Sequence, residues 1–307
     1  MEFELIRWLK KKYPLPSRKG KGIGDDTALL RAHGATTLMS TDVIVDGVDF
    51  LSSKASPELI GRKALAVNLS DIAAMGGVPT FFTVALGLPR NTSQTWVKKF
   101  YQGLMKLAKS SDAHLAGGDF SRSPCFFASV TLLGKPAGKK IVFRSGARAG
   151  DIIGVTGTLG GSILGRHFRF DPRLKEGRFL ADRASAMIDV SDGLVQDLEH
   201  VLTASRCSAE VDLDKIPVSK DARALGKGSK RKALLHALSD GEDFELLFTA
   251  PEQSRMILER SFKARFPGTS LSWIGRVKVK RQSAILWFSE GKKLSDFSLA
   301  KKGYEHF

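Results

Sequence analysis

Residues 61–82 read GRKALAVNLSDIAAMGGVPTFF, and this stretch decides the architecture. A Ser-Pro pair at 56–57 precedes it, a helix-start signal, so a helix is expected over residues 56–74. The run from 72 to 89 carries no charge, which raises the possibility of a membrane span. Gly76, Gly77 and Pro79 break that run near its middle, and a spanning helix needs about 20 continuous residues with its backbone satisfied throughout. The run therefore divides into the end of a helix and a buried strand, TFFTVALGL, and no membrane partner is expected.

Working outward, the same alternation of helix and strand continues in both directions. MEFELIRWLKKKYPLP reads as a short amphipathic helix ended by its prolines, STDVIVDGVDF is strand-like, and 92–110 is helical. AHLAGGDF reads as a strand running into a glycine turn, and CFFASVTLLGKP as a further strand. In the second half, IVFRSGARAGDIIGVTG holds two short strands around a glycine-rich turn. Residues 159–167 look like a helix start, AMIDVSDGL is a strand feeding a helix, KALLHALSD is helical and FELLFTA is a strand. A helix starts at Pro251, and a last strand pair lies near 273–287. The pattern predicts an α+β protein of two mixed α/β domains, 1–137 and 138–307, joined by a linker near 135–140.

The 307 residues suit two domains. The two cysteines, Cys125 and Cys207, have no partner at zinc-ligand spacing and form no disulfide framework, which fits a reducing cytoplasm. The start, MEFELIRWLKKKYPLP, has neither the apolar run nor the cleavage site of a signal peptide. The formal net charge is +16, but the basic residues are scattered and do not interleave with aromatics, so a solvated surface is expected and nucleic acid is not.

The chemistry-bearing feature is a series of aspartates beside Gly, Ser or Thr. GIGDD contains Asp25 and Asp26; STD contains Ser40, Thr41 and Asp42; NLSD contains Asp71; GGD ends in Asp119; IDVSDG carries Asp189, Ser191 and Asp192. A hard divalent cation such as Mg²⁺ takes oxygen ligands, usually a few carboxylates with substrate phosphates, and nearby glycine N–H groups bind phosphate oxygens. One such motif is ordinary turn chemistry; five in a net-basic chain point to a magnesium–triphosphate site. The Walker sequence, G-x-G-x-x-G, the protein-kinase set and G-x-S-x-G are all absent, and the six histidines read as isolated.

Taken in order, GIGDDTALL, STDVIVDGVDF, GRKALAVNLSDIAAMGGVPTFF, LAGGDFSR, RSGARAGDIIGVTGTLG, AMIDVSDGLVQDLEHVL, VDLDKIPVS, DGEDFELLFT, IGRV and GYEHF resemble successive blocks of the thiamine-monophosphate kinase family, over residues 22–307. The resemblance implies an aminoimidazole-ribonucleotide-synthetase-like fold and a homodimer whose N-terminal sheets pair across the interface. It also implies ATP-dependent phosphorylation of thiamine monophosphate, with several Mg²⁺ ions. By position, Asp26, Ser40, Thr41, Asp42, Asp71, Asp119, Asp189 and Asp192 match metal positions, and Asp42, Asp71, Asp119 and Asp192 are the expected catalytic set. Tyr101, Gly118, Asp119, Arg144 and Ser191 match nucleotide contacts. Asp49, Glu242 and Tyr304 match the thiamine-phosphate side.

Three departures stand out: Asp49 where the family has His, Asp240 where it has a glycine, and a shortened stretch between 165 and 172. A side chain at 240 is expected to restrict backbone approach. Two alternatives remain at this point. One is another ATP-dependent enzyme of the superfamily with an altered substrate. The other is a non-catalytic basic nucleotide- or RNA-binding protein.

Overall fold

The computed structural model describes residues 2–32, 34–138, 140–282, 284–294 and 303. After the N-terminal helix α1 (Glu2–Lys12), the first unit comprises β1 (Gly20–Lys21), β2 (Ala28–Ala32), β3 (Ala35–Val45), α2 (Pro57–Ala74), β4 (Gly77–Leu88), α3 (Gln94–Ser111), β5 (His114–Arg122) and β6 (Phe127–Pro136). Its sheet order is β1-β2-β3-β6-β4-β5, antiparallel throughout except for the parallel β4–β5 edge.

The helix expected from the Ser-Pro start is α2. The Ser56 side chain accepts from Leu59 N and Pro57 opens the helix, the position where a missing N–H costs nothing. Apolar or small residues occupy nearly every side of α2, so it is buried all round between α3, the sheet and the second unit. Close approach explains Gly61, where a Cβ would lie 1.9 Å from the Phe100 carbonyl oxygen of α3. Among the described residues no helix is long and apolar enough to cross a membrane.

The second unit comprises β7 (Ile152–Thr156), α4 (Leu174–Ala181), β8 (Ala186–Asp189), α5 (Leu194–Ser205), β9 (Cys207–Asp212), α6 (Lys220–Leu225), α7 (Lys230–Ser239), β10 (Leu246–Ala250), α8 (Arg255–Arg265), β11 (Leu271–Val279), β12 (Ile285–Ser289) and β13 (Lys292–Lys293). Its sheet order is β13-β12-β9-β11-β7-β10-β8. One face packs on α5 and α7, the other on α4 and α8. Ala73 and Ala74 of α2 join the core on the α4 side, so this one helix belongs to both units and brings its polar residues to their junction.

Four local expectations change. Gly117 and Gly118 do not turn; they continue β5 straight through to Arg122. Only one strand, β7, forms in residues 141–157. Residues 159–167 form two short 3-10 turns, Ser162–Leu164 and Arg166–Phe168, rather than the start of an α-helix. Finally, β11 and β12 do not pair with each other, because β9 lies between them.

Candidate active site

Four separated elements bring carboxylates to the junction. Asp26 stands in the turn before β2, Asp42 on β3, Asp71 on α2 and Asp189 at the end of β8. Asp26, Asp71 and Asp189 each offer an oxygen within 4.8 Å of the others. Ser70 Oγ donates to Asp189 Oδ2 at 2.5 Å, joining α2 to the second unit. Burial, and behind it the neighbouring carboxylates, pushes Asp42 up to about 6 and Asp189 up to about 8. Asp71 is raised well above its ordinary value by burial and then by Asp42 and Asp189.

One half-buried cation, Arg144, answers this negative charge. Arg144 Nη2 donates to Asp26 Oδ1 at 2.8 Å, and its backbone N–H donates to Asp25 Oδ1 at 2.7 Å. Burial opposes the guanidinium charge, but Asp26 outweighs it and raises the arginine above its usual value. A single guanidinium does not neutralise four carboxylates. Asp26 Oδ2 and Asp42 Oδ2 are buried without a hydrogen-bond partner, a costly state for a carboxylate oxygen. Clustered hard oxygens with unmet acceptor capacity are the donor set that Mg²⁺ takes.

Other expected positions fall elsewhere. Ser40 Oγ donates to Asn68 Oδ1 at 3.2 Å on the α2 side of β3. Thr41 points to the opposite face, where its hydroxyl meets Val130 O at 3.2 Å and Thr131 Oγ1 at 3.1 Å. Asp119 pairs in register with Ala85, whose side chain is exposed, and so shares that outer face. Thus the structure does not bring Thr41 or Asp119 to the buried carboxylates. Gly118 lies on the exposed β5 edge, and Tyr101 packs edge-on to Phe100 and Phe120. Among the described residues no hydrogen bond or ion pair ties either to the carboxylates. Tyr304 lies outside the described residues; a Cβ on nearby Gly303 would sit 2.6 Å from Asp192 O.

Asp192 and Ser191 form the turn after β8. Asp192 N donates to Asp197 Oδ2 at 3.1 Å, and the Ser191 carbonyl accepts from Glu242 N at 2.6 Å. The Glu242 loop is tightly curled, with left-handed φ of 75° at Gly241, 54° at Glu242 and 50° at Phe244. Non-glycine residues hold that conformation only when their surroundings enforce it.

Much of that enforcement comes from Lys63, a residue the motif reading passed over. It is fully buried on α2, and its Nζ donates to the Asp49 carbonyl at 2.7 Å and to Glu242 Oε1, and lies 2.9 Å from His167 Nδ1. The ammonium's three donors thus face three acceptors. His167 Nδ1 also lies 3.2 Å from Glu242 Oε2, so it accepts from Lys63 when unprotonated and donates to Glu242 when protonated. Burial opposes the Glu242 charge, but His167 and Lys63 outweigh it and hold the carboxyl below its ordinary value. A lysine, Lys63, among the small and apolar residues of α2 was the available signal for this site. Lys63 and Asp71 are eight residues apart on one helix face, about 12 Å along the axis.

Two departures acquire local explanations. Asp49 Oδ2 accepts from Val45 N at 2.7 Å, so this carboxylate closes the turn after β3. Asp240 takes helical angles at the end of α7, φ −67° and ψ −36°, so its own backbone is unstrained. Its Oδ2 accepts from Gly161 N at 2.9 Å, pinning the glycine turn that follows β7.

The family of AIR synthase related protein, N-terminal domain, matches residues 24–135, and that of AIR synthase related protein, C-terminal domain, matches residues 145–280. The fold is therefore that of a two-domain AIR-synthase-related protein. Among similar curated proteins, the thiamine-monophosphate kinase of Rhodopirellula baltica is 40% identical over 269 residues, covering 84% of each chain. That of Escherichia coli (strain K12) is 38% identical, covering 93% of this chain and 91% of its own. A solved structure of AaThiL complexed with AMPPCP and TMP superposes with a TM-score of 0.81 at 32% identity, covering 100% of this chain and 97% of that one. The chain belongs to the thiamine-monophosphate kinase family, and it is an enzyme.

Proposed function

We propose that the enzyme transfers a phosphoryl group from ATP to thiamine monophosphate, giving thiamine diphosphate, at the junction of its two units. The observation that carries this reading is the meeting of Asp26, Asp42, Asp71 and Asp189 from four elements, with two buried oxygens lacking partners. The AaThiL structure holds AMPPCP and TMP, and its likeness to this chain supports the same pair of substrates here.

Asp26, Asp42, Asp71 and Asp189, with Asp192 at their edge, would hold Mg²⁺. Bound there, the metal supplies the positive charge that lets a triphosphate approach buried carboxylates. Arg144, held by Asp25 and Asp26, offers its guanidinium to phosphate oxygens. The acceptor is a phosphate oxygen, already largely ionised at neutral pH, so no side chain is required as general base. Positioning is the protein's remaining task. Glu242, clamped by Lys63 and His167, presents a fixed carboxylate to the thiamine part. Helix α2 sets the spacing between that carboxylate and the phosphate end.

We take the boundary between the units to lie at residues 137–138. We assign the protein to the cytoplasm, a reading supported by its two free cysteines. A homodimer through the outer face of the first sheet fits the exposed Val43 and Phe81, which water otherwise covers. The test is an ATP and Mg²⁺ assay offering thiamine monophosphate and thiamine in parallel. Thiamine diphosphate formed from the monophosphate alone is expected; no turnover of either by folded protein would overturn the proposal.

A further inference from the structure

One cavity among the described residues lies away from the carboxylate junction. It has a volume of about 790 Å³ and lies where Ala137, Gly138 and Lys140 meet α4 and the end of α8. Five cations line it: Lys140, Lys175, Arg178, Arg183 and Arg265. Asp182 is the one acid in the lining, which leaves a formal charge of +4. Among the described residues none of the five cations makes a salt bridge with a carboxylate.

Three of the five heads are held by hydrogen bonds to backbone carbonyls. Lys140 Nζ donates to Ala184 O at 2.6 Å, and Arg178 Nε donates to Leu174 O at 3.1 Å. Arg183 Nη1 donates to Phe179 O at 2.7 Å, while its guanidinium lies 4.0 Å from the Phe179 ring centroid. Each of these bonds occupies one donor of an ammonium that has three or a guanidinium that has five. Among the described residues their other donors make no hydrogen bond. Like charges gathered in a concavity repel one another, and low-dielectric walls focus their field onto any anion that enters. Held guanidinium groups with spare N–H donors match phosphate oxygens in particular.

We propose that this cavity is a second, metal-independent binding site for a small phosphorylated anion carrying two or more phosphate groups, separate from the carboxylate junction. Its concave shape and volume suit a small molecule rather than a polymer. The two sites differ in how they attract phosphate. The carboxylate site repels an anion unless divalent metal is present, whereas the basic cavity attracts it without metal.

That difference supplies the test. Binding of radiolabelled inorganic pyrophosphate to the full-length protein is measured by equilibrium dialysis in EDTA, which silences the carboxylate site. The comparison protein carries Lys175→Glu and Arg265→Glu, both at exposed positions. A second variant, Arg183→Gln, removes one charge without reversing it.

The expected result is one pyrophosphate per chain, bound at least tenfold more weakly by the double variant and several-fold more weakly by Arg183→Gln. Both variants should keep wild-type kinase turnover and circular dichroism. No saturable binding in EDTA, or equal binding by wild type and double variant, would overturn the proposal. So would a single-stranded RNA 20-mer that binds the same residues more tightly than pyrophosphate, because the site would then serve a polymer. The kinase assay is independent of this readout, so failure of either reading leaves the other standing.

Discussion

Arg144 and Asp26 form a buried ion pair at 2.8 Å, with the aspartate side chain wholly inaccessible and the arginine side chain 26% exposed. The pair couples the turn before β2 to the segment that enters the second unit. It leaves Asp26 Oδ2 buried without a hydrogen-bond partner. Arg144→Lys keeps the charge but loses the planar fork. Steady-state kinetics should show kcat/KM for ATP falling by about 10- to 100-fold, equivalent to about 1.4–2.7 kcal/mol. An unchanged value would show that the guanidinium serves only Asp26.

Asp71→Asn and Asp42→Asn should each lower kcat by at least about a hundredfold, or on the order of 3 kcal/mol. Their metal-free stability should match or exceed wild type, because one of several mutually repelling carboxylates is gone. Scanning calorimetry with and without Mg²⁺ separates the effects. Saturating metal, at about 100 times Kd, should stabilise wild type by about 2.7 kcal/mol and the variants by much less.

The raised carboxylates make stability depend on pH in a defined direction. Asp42 near 6 and Asp189 near 8 bind protons more readily in the folded state than at the unfolded value of 3.8. Their contribution is therefore fully present below about pH 4 and is lost as pH rises through 6 and then 8. Urea unfolding in EDTA should show wild type weakening between these limits. Asp189→Asn should flatten the upper part of that slope, and Mg²⁺ should restore stability at the alkaline end. A wild-type profile that rises through this window would contradict the account.

Lys63→Met should destabilise the protein by on the order of 3 kcal/mol, because it leaves the Glu242 carboxylate beside His167 without its main cation. Adding Glu242→Gln should recover part of that loss, giving a positive coupling in a double-mutant cycle. In kinetics the single variant should raise KM for thiamine monophosphate several-fold and change KM for ATP little. Equal effects on both would mean that Lys63 serves the fold alone.

Phe81→Glu, on the outer face of the first sheet, should break the proposed dimer by placing a charge in an apolar contact. Light scattering should give twice 33.5 kDa for wild type and 33.5 kDa for the variant. A monomeric wild type would remove the interface.

Local chemistry made much of the fold legible. The Ser56 cap and Pro57 announced α2, and Gly76, at a positive φ, separates it from β4, which begins at Gly77 and carries Pro79 within it. The β5 glycines misled because glycine usually marks a turn, whereas here register with β4 carries the strand through. The β11–β12 pairing failed for a related reason, since adjacency along the chain does not disclose that β9 inserts between the two strands. Within the site, Asp42 and Thr41 are neighbours in sequence but occupy opposite sheet faces, a consequence of period-two alternation that a motif match ignores.

Residue types and their order are already legible along the chain: aspartates beside small residues, a largely apolar helix holding one lysine, and blocks in the succession of one kinase family. Those are local properties, set by backbone propensity and side-chain chemistry within a few residues. Tertiary structure alone decided which carboxylates meet. It brought Asp26, Asp71 and Asp189 within 4.8 Å, placed Asp119 on the far face, and joined Lys63 to Glu242 across 179 residues. Such contacts depend on strand register and on α2 being packed into both units, and no short stretch of sequence encodes either.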